Sequence, residues 1–208
     1  MDIFHSEKGL TFENFIKYPE ISIEENSFTF ITGKSGCGKS SYLKMLNFTA
    51  LPSDGKIYFC GKDLTELSPI DYRRQVMLAP QQVFLTEGNI RDNFDFYYGM
   101  REKEPLSNVE IAEALKVCCA DFPLTADCSL LSGGERQRVF LSIFISCMPK
   151  VLLLDEPTAA LDEKTSNELF TSLKKYCRER NITVVCVCHN LELAEKYGDS
   201  IIRLGEEN

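Results

Sequence analysis

Apolar residues in this chain collect into short unbroken runs, separated by longer stretches of mixed polarity. Four runs have strand length: Phe28-Thr29-Phe30-Ile31-Thr32, Val76-Met77-Leu78-Ala79, Val151-Leu152-Leu153-Leu154 and Thr183-Val184-Val185-Cys186-Val187. Unbroken runs of β-branched and other apolar residues suit parallel strands covered on both faces by helices. Between them lie helical patterns: Ser41 to Leu46, a polar helix carrying Asp71, Arg73 and Arg74, an amphipathic run from Val109 to Val117, and Leu169 to Arg180. Shorter strand-like segments occupy the N-terminal part, at Leu10 to Phe15 and Ile21 to Ile23, separated by Tyr18-Pro19. Two more are expected at Lys56 to Cys60, after the turn Leu51 to Gly55, and at Ser200 to Leu204. From Gly88 to Thr125 the pattern turns helical and polar, as a helical insert within an α/β domain would.

Composition narrows the class. At 208 residues the chain can bury the core of one domain with an inserted subdomain. A net charge of −8 leaves no basic stripe for a phosphate backbone, so no nucleic-acid partner is expected. No apolar run reaches bilayer length, and Met1 to His5 lacks the regions of a signal peptide. The sequence stops shortly after its last strand, at Asn208, so no regulatory tail domain is expected. The nine cysteines form no C-x-x-C pair, and two histidines are too few to complete zinc sites with them. Reduced thiols packing as small hydrophobes fit better, with Cys118 and Cys119 on an expected helix and Cys186 and Cys188 alternating along one strand.

The chemistry starts at Gly33-Lys34-Ser35-Gly36-Cys37-Gly38-Lys39-Ser40, which fits G-x-x-x-x-G-K-[ST] between a strand and a helix that opens with Ser41. Glycines let backbone N–H groups curl around a phosphate, and the helix N-terminus adds partial positive charge. Lys39 can then reach the β- and γ-phosphates, and the Ser40 hydroxyl can ligate Mg²⁺. Alkylation of Cys37 inside that loop would block nucleotide sterically. The run at Val151 ends in Asp155-Glu156. A carboxylate at a buried strand tip suits Mg²⁺, here Asp155, and Glu156 suits a base that polarises attacking water. Leu131-Ser132-Gly133-Gly134-Glu135 opens a helix; read alone, it is a helix N-cap or a second anion site.

With these pieces in order the chain resembles the ATP-binding cassette (ABC) ATPase family along essentially its whole length. Gly33 to Ser40 resembles Walker A, Val151 to Glu156 Walker B, and Leu131 to Glu135 the L-S-G-G-Q signature with Glu135 in the Gln place. Gln81 resembles the Q-loop glutamine, Ala160-Leu161-Asp162 the D-loop, and His189 the switch histidine. The resemblance implies a P-loop NTPase: a mostly parallel core over 1–87 and 126–208 with an N-terminal antiparallel β subdomain, and a helical subdomain over 88–125. It implies a head-to-tail homodimer with two ATPs between subunits, each on one Walker A and covered by Ser132, Gly133 and Gly134 of the other. Gln81 would touch Mg²⁺ or the lytic water, His189 the γ-phosphate, and Asp162 the dimer interface. Of the upstream aromatics Phe4, Phe12, Phe15 and Tyr18, Phe12 is the expected adenine-stacking ring.

The expected function is that of an ATPase subunit, cytoplasmic and peripheral on the inner face of the membrane, driving a separate transmembrane permease through a groove at Val83 to Asn93. The alternatives are a soluble cassette ATPase, as in Fe–S assembly, a P-loop kinase, and a binding-only subunit. The compact length resembles small bacterial-type cassettes, some of them linked to metal or iron export.

Overall fold

The computed structural model describes residues 1–205. Its centre is a parallel five-stranded sheet in the order β11 (Ser200–Leu204), β5 (Phe28–Gly33), β10 (Thr183–Val187), β9 (Val151–Asp155), β8 (Val76–Ala79). Alternate residues of each central strand enter different cores. Phe28, Phe30, Leu152, Leu154, Val184 and Cys186 pack under α5 (Gly133–Ser146) and α6 (Glu163–Glu179). Ile31, Val151, Leu153, Val185 and Val187 pack under α1 (Lys39–Leu46) and the N-terminal strands. Both faces are covered, which is why the runs are unbroken rather than alternating.

The register brings Gly33, Asp155, Val187 and Ala79 to one edge of the sheet, since Val187 pairs with both Ile31 and Asp155, and Ala79 with Leu154. Loops leaving that edge form the crevice where ligands bind in open α/β sheets. An antiparallel sheet, β4 (Ile21–Glu24), β1 (Asp2–Ser6), β6 (Ile57–Phe59) and β7 (Lys62–Asp63), covers the α1 side. Next to it lies the two-stranded hairpin of β2 (Thr11–Phe12) and β3 (Ile16–Lys17). Between β8 and α5 the chain forms α3 (Ile90–Met100) and α4 (Asn108–Val117), capped by the reciprocal pairs Asn89–Asp92 and Ser107–Glu110. The remaining helices are α2 (Pro69–Gln75) and α7 (Leu191–Tyr197).

Three local expectations need correction, and one strand, β1, was not expected. The strand expected from Leu10 to Phe15 is broken by a turn at Glu13 and Asn14, both left-handed at φ 51 and 62. Strand β1 has no period-2 signal because a bulge between Asp2 and Phe4 turns Ile3 and Phe4 both inward. Helix α6 starts six residues before Leu169, its first turns being polar and nucleated by a cap at Asp162. Cys118 and Cys119 lie just beyond α4, at its C-cap and in a left-handed residue of φ 54.

Candidate functional site

The phosphate loop joins β5 to α1, and the β2–β3 hairpin supports it from below. Tyr18, buried against Tyr42, donates its hydroxyl to the Gly38 carbonyl at 3.0 Å. Gly38 has φ 92, and a Cβ there would sit 2.5 Å from the Tyr18 hydroxyl and 2.7 Å from Ile16 Cγ2. The hairpin pairs Ile16 with Phe12, so both side chains share the face turned to the loop. Phe12 is half-buried there, while Phe15 at the hairpin turn is 69% exposed. Ser35 and Gly36 are exposed, and Cys37, Ser40 and Ser41 are partly so.

Lys39 opens α1 and is 6% exposed. Its ammonium donates to the carbonyls of Gly33 at 2.9 Å and Lys34 at 3.0 Å, and no carboxylate lies within ion-pair distance among the described residues. A buried cation held only by two carbonyls leaves its charge for an anion entering the loop. Beside it, the Ser40 hydroxyl donates to Asp155 Oδ1 at 2.9 Å. Asp155 ends β9 at 8% exposure. Burial pushes its carboxyl above the usual range, and the charge of Glu156 adds to this; the Ser40 bond and the charges of Lys44 and Lys39 work the other way. One hydroxyl and one carboxylate, both hard oxygen donors beside a phosphate loop, fit Mg²⁺, which is held by few protein oxygens plus phosphate.

Glu156 is left-handed at φ 52, its N–H donating to Val187 O at 3.1 Å. Strain of this kind persists only where surroundings enforce it. The turn sends its carboxylate to two partners: Gln81 Nε2 donates to Oε2 at 2.8 Å, and His189 Nε2 lies 2.6 Å from Oε1. Gln81 follows β8 and His189 follows β10, so the three meet because their strands end level. Glu156 and His189 also border a cavity of about 490 Å³ that reaches Thr158 and Asn190.

The signature residues form a separate group. Ser132 caps α5: its Oγ accepts from Glu135 N at 3.4 Å, and Glu135 Oε2 accepts from Ser132 N at 2.8 Å. The backbone N–H of Ser132, and after it the Ser132 side chain, hold the Glu135 carboxyl below its usual range. Asp162 caps α6, accepting from Thr165 N at 2.8 Å and from the Thr165 hydroxyl at 2.9 Å, which lowers its carboxyl as well. Ser132, Gly133, Gly134 and Asp162 line one cavity of about 350 Å³. Among the described residues no hydrogen bond joins this group to the phosphate loop. Thus the structure brings Lys39, Ser40, Asp155, Glu156, Gln81 and His189 to one sheet edge, and the signature and Asp162 to another place.

Two residues matter that sequence reasoning did not single out in these roles. Tyr18 supports the loop, although it was weighed only as an adenine-stacking ring. Gln137 is 6% exposed and donates Nε2 to the Glu156 carbonyl at 3.0 Å. Its signal was a polar residue in register with the buried Phe140, Leu141 and Phe144.

A family model described as ABC transporter matches residues 16–159. The chain is 37% identical over 183 residues to the probable iron export ATP-binding protein FetA of Escherichia coli (strain K12), covering 88% of this chain and 81% of that protein. It is 34% identical over 202 residues to the spermidine/putrescine import ATP-binding protein PotA of Clostridioides difficile (strain 630), covering 95% of this chain but only 56% of the relative. Among solved structures, the dimeric bacterial ABC transporter cassette MJ0796 superposes with a TM-score of 0.83 at 26% identity, over 97% of this chain and 94% of that one. The same cassette is also known as a dimer in a post-hydrolysis state bound to ADP and Pi.

Proposed function

The chain belongs to the ABC transporter family and is an ABC-type ATPase, and from that premise we propose that it is the ATP-hydrolysing subunit that drives a transporter through a separate membrane subunit. One observation carries the chemistry: a buried, anion-seeking Lys39, the Ser40–Asp155 pair and the Gln81–Glu156–His189 cluster share a single sheet edge. ATP would lie on the loop from Gly33 to Ser41, its adenine against Phe12. Ser40 and Asp155 would hold Mg²⁺, with Gln81 Oε1 within the same group, and the ion would offset charge on the β- and γ-phosphates. Glu156 accepts the proton of the attacking water and His189 orients that carboxylate, so hydrolysis proceeds by positioning rather than by a covalent intermediate.

The separation of the signature group from the loop supports a head-to-tail homodimer, in which Ser132, Gly133 and Gly134 of one copy cover the nucleotide of the other. Asp162 enters that interface as the cap of α6. With the chain divided into a core over 1–87 and 126–208 and a helical part over 88–125, the membrane contact would lie on the helical part and the segment leading into it. Phe84, just before the helical part, and Phe96 within it are 58% and 39% exposed with ring centroids 6.5 Å apart, an apolar patch suited to a helix of a membrane subunit, and Met100 further along is 70% exposed. No helix among the described residues is long and apolar enough to cross a membrane. As the subunit that drives a separate membrane protein, the chain would work peripherally at the inner face. Relatives named for export and for import are both similar to this chain, and on this reading the cargo is chosen by the membrane subunit.

The test is Glu156→Gln with saturating Mg-ATP, followed by light scattering. A dimer with turnover reduced by about 10²–10⁴ is expected. A species that stayed monomeric would remove the composite-site reading. Co-purification of the tagged protein from gently solubilised native membranes tests the partner, which should be a polytopic protein in equal ratio.

A further inference from the structure

Glu156 is held from two sides. Its carboxylate and its N–H belong to the strand ends, through Gln81, His189 and Val187, while its carbonyl is reached from α5. Three contacts make the second attachment. Gln137 Nε2 donates to the Glu156 carbonyl at 3.0 Å, and Gln137 Oε1 accepts from Ala160 N at 3.3 Å. One turn earlier on α5, Gly134 lies so close to the following segment that a Cβ there would sit 2.7 Å from the Ala160 carbonyl. The loop from Glu156 to Ala160 is therefore clamped to the helix that the signature opens, by a buried side chain that uses both ends of its amide.

The clamp has a chemical consequence. At φ 52 the Glu156 backbone is in a conformation that non-glycine residues adopt at a cost, so its peptide must be held in place. The carbonyl of that very residue accepts from Ala159 N at 3.2 Å within the loop and from the Gln137 amide at 3.0 Å. Gln137 is the partner that comes from α5, so it bears on the direction in which the carboxylate leaves the chain. Ser132 and Gly134 stand at the other end of the same rigid turns.

We propose that Gln137 is a positioning residue for hydrolysis: it ties the signature end of α5 to the Glu156 backbone, so that contact of the signature with a nucleotide on the second copy sets the aim of the Glu156 carboxylate in its own site. This rests on the head-to-tail reading above, and it adds a direct mechanical link between the two sites of the dimer. Among the described residues no hydrogen bond joins Gln137 to the phosphate loop, so its loss should touch turnover and not ATP affinity.

The experiment compares Gln137→Leu and Gln137→Glu with the unmodified chain in steady-state ATPase assays, with melting temperatures recorded alongside. Gln137→Glu keeps the acceptor for Ala160 N but sets a carboxylate oxygen against the Glu156 carbonyl, so the uncharged Gln137→Leu and the melting temperatures separate lost positioning from a variant that fails to fold. Both should lower kcat at least tenfold while KM for ATP stays within about threefold, and in the Glu156→Gln background both should still form the ATP-dependent dimer. The Hill coefficient for ATP should fall toward one. A kcat within threefold of the unmodified chain in either folded variant overturns the proposal. So does a parallel loss of kcat, ATP affinity and dimer, which would mark Gln137 as a packing residue. If Glu156→Gln alone fails to dimerise, the head-to-tail reading falls, whatever the Gln137 variants do.

Discussion

Replacing Gly38 by Ala tests whether the β2–β3 hairpin is the physical support of the phosphate loop. The perturbation has two parts. At φ 92 an L-residue meets its own carbonyl, at roughly 1–2 kcal/mol. The new Cβ would also lie 2.5 Å from the Tyr18 hydroxyl and 2.7 Å from Ile16 Cγ2, both far inside normal contact. Relieving that overlap displaces a buried tyrosine and its hydrogen bond to the Gly38 carbonyl, an overpacking cost of about 1–3 kcal/mol. Together they amount to about 2–5 kcal/mol, a large part of the roughly 5–15 kcal/mol that holds a domain. For a chain of this size the melting temperature should fall by at least about 4 °C. The assay is thermal unfolding without nucleotide, where phosphate contacts play no part. Adding Ile16→Ala removes one of the two clashes, so the double variant should be more stable than the sum of the single effects. A Gly38→Ala protein melting within 1 °C of the unmodified chain, or strict additivity with Ile16→Ala, would refute the packing argument.

Other perturbations have equally definite outcomes. Lys39→Met removes a buried charge with no carboxylate partner, so the nucleotide-free protein should melt no lower than the unmodified one; the ATP-dependent stabilisation, about 2.7 kcal/mol at a hundredfold excess over Kd, should vanish in the same thermal assay. Asp155 carries a carboxyl raised mainly by burial, so the folded state holds more protons than the unfolded state above the ordinary carboxylate range. Its contribution to stability is therefore lost as pH rises through that window, and Asp155→Asn should be more stable at pH 7 with a flatter profile in urea unfolding between pH 4 and 7, yet inactive with Mg-ATP. Ser132→Ala deletes the cap of α5 and should cost about 1 kcal/mol in urea unfolding. Ser132→Thr, which retains the cap, should recover most of that stability.

Much of the molecule was legible in its linear order because the signals are local. An unbroken run such as Val151 to Leu154 needs two covered faces wherever it lies, and a glycine pattern ending in Lys39-Ser40 needs a strand before it and a helix after it. Asp155 and Glu156 follow from the same logic, as carboxylates at a strand tip. What failed was local too. The bulge that turns Ile3 and Phe4 inward together erases the alternation of β1, and the polar first turns of α6 carry no apolar stripe.

The sequence by itself thus determined the fold class and the strand–loop–helix around Lys39, and it nominated the groups beside that loop, because each signal depends on neighbours in the chain. Only the tertiary structure decided their arrangement. Parallel registry of β8, β9 and β10 brings Gln81, Glu156 and His189, separated by up to 108 positions, within hydrogen-bond reach. Packing of α5 leaves the signature turn apart from the phosphate loop and sets it, through Gly134 and Gln137, against the backbone of Ala160 and Glu156. These contacts depend on which strands lie level and which helix covers them, a matter of packing between distant segments that no periodicity along the chain records.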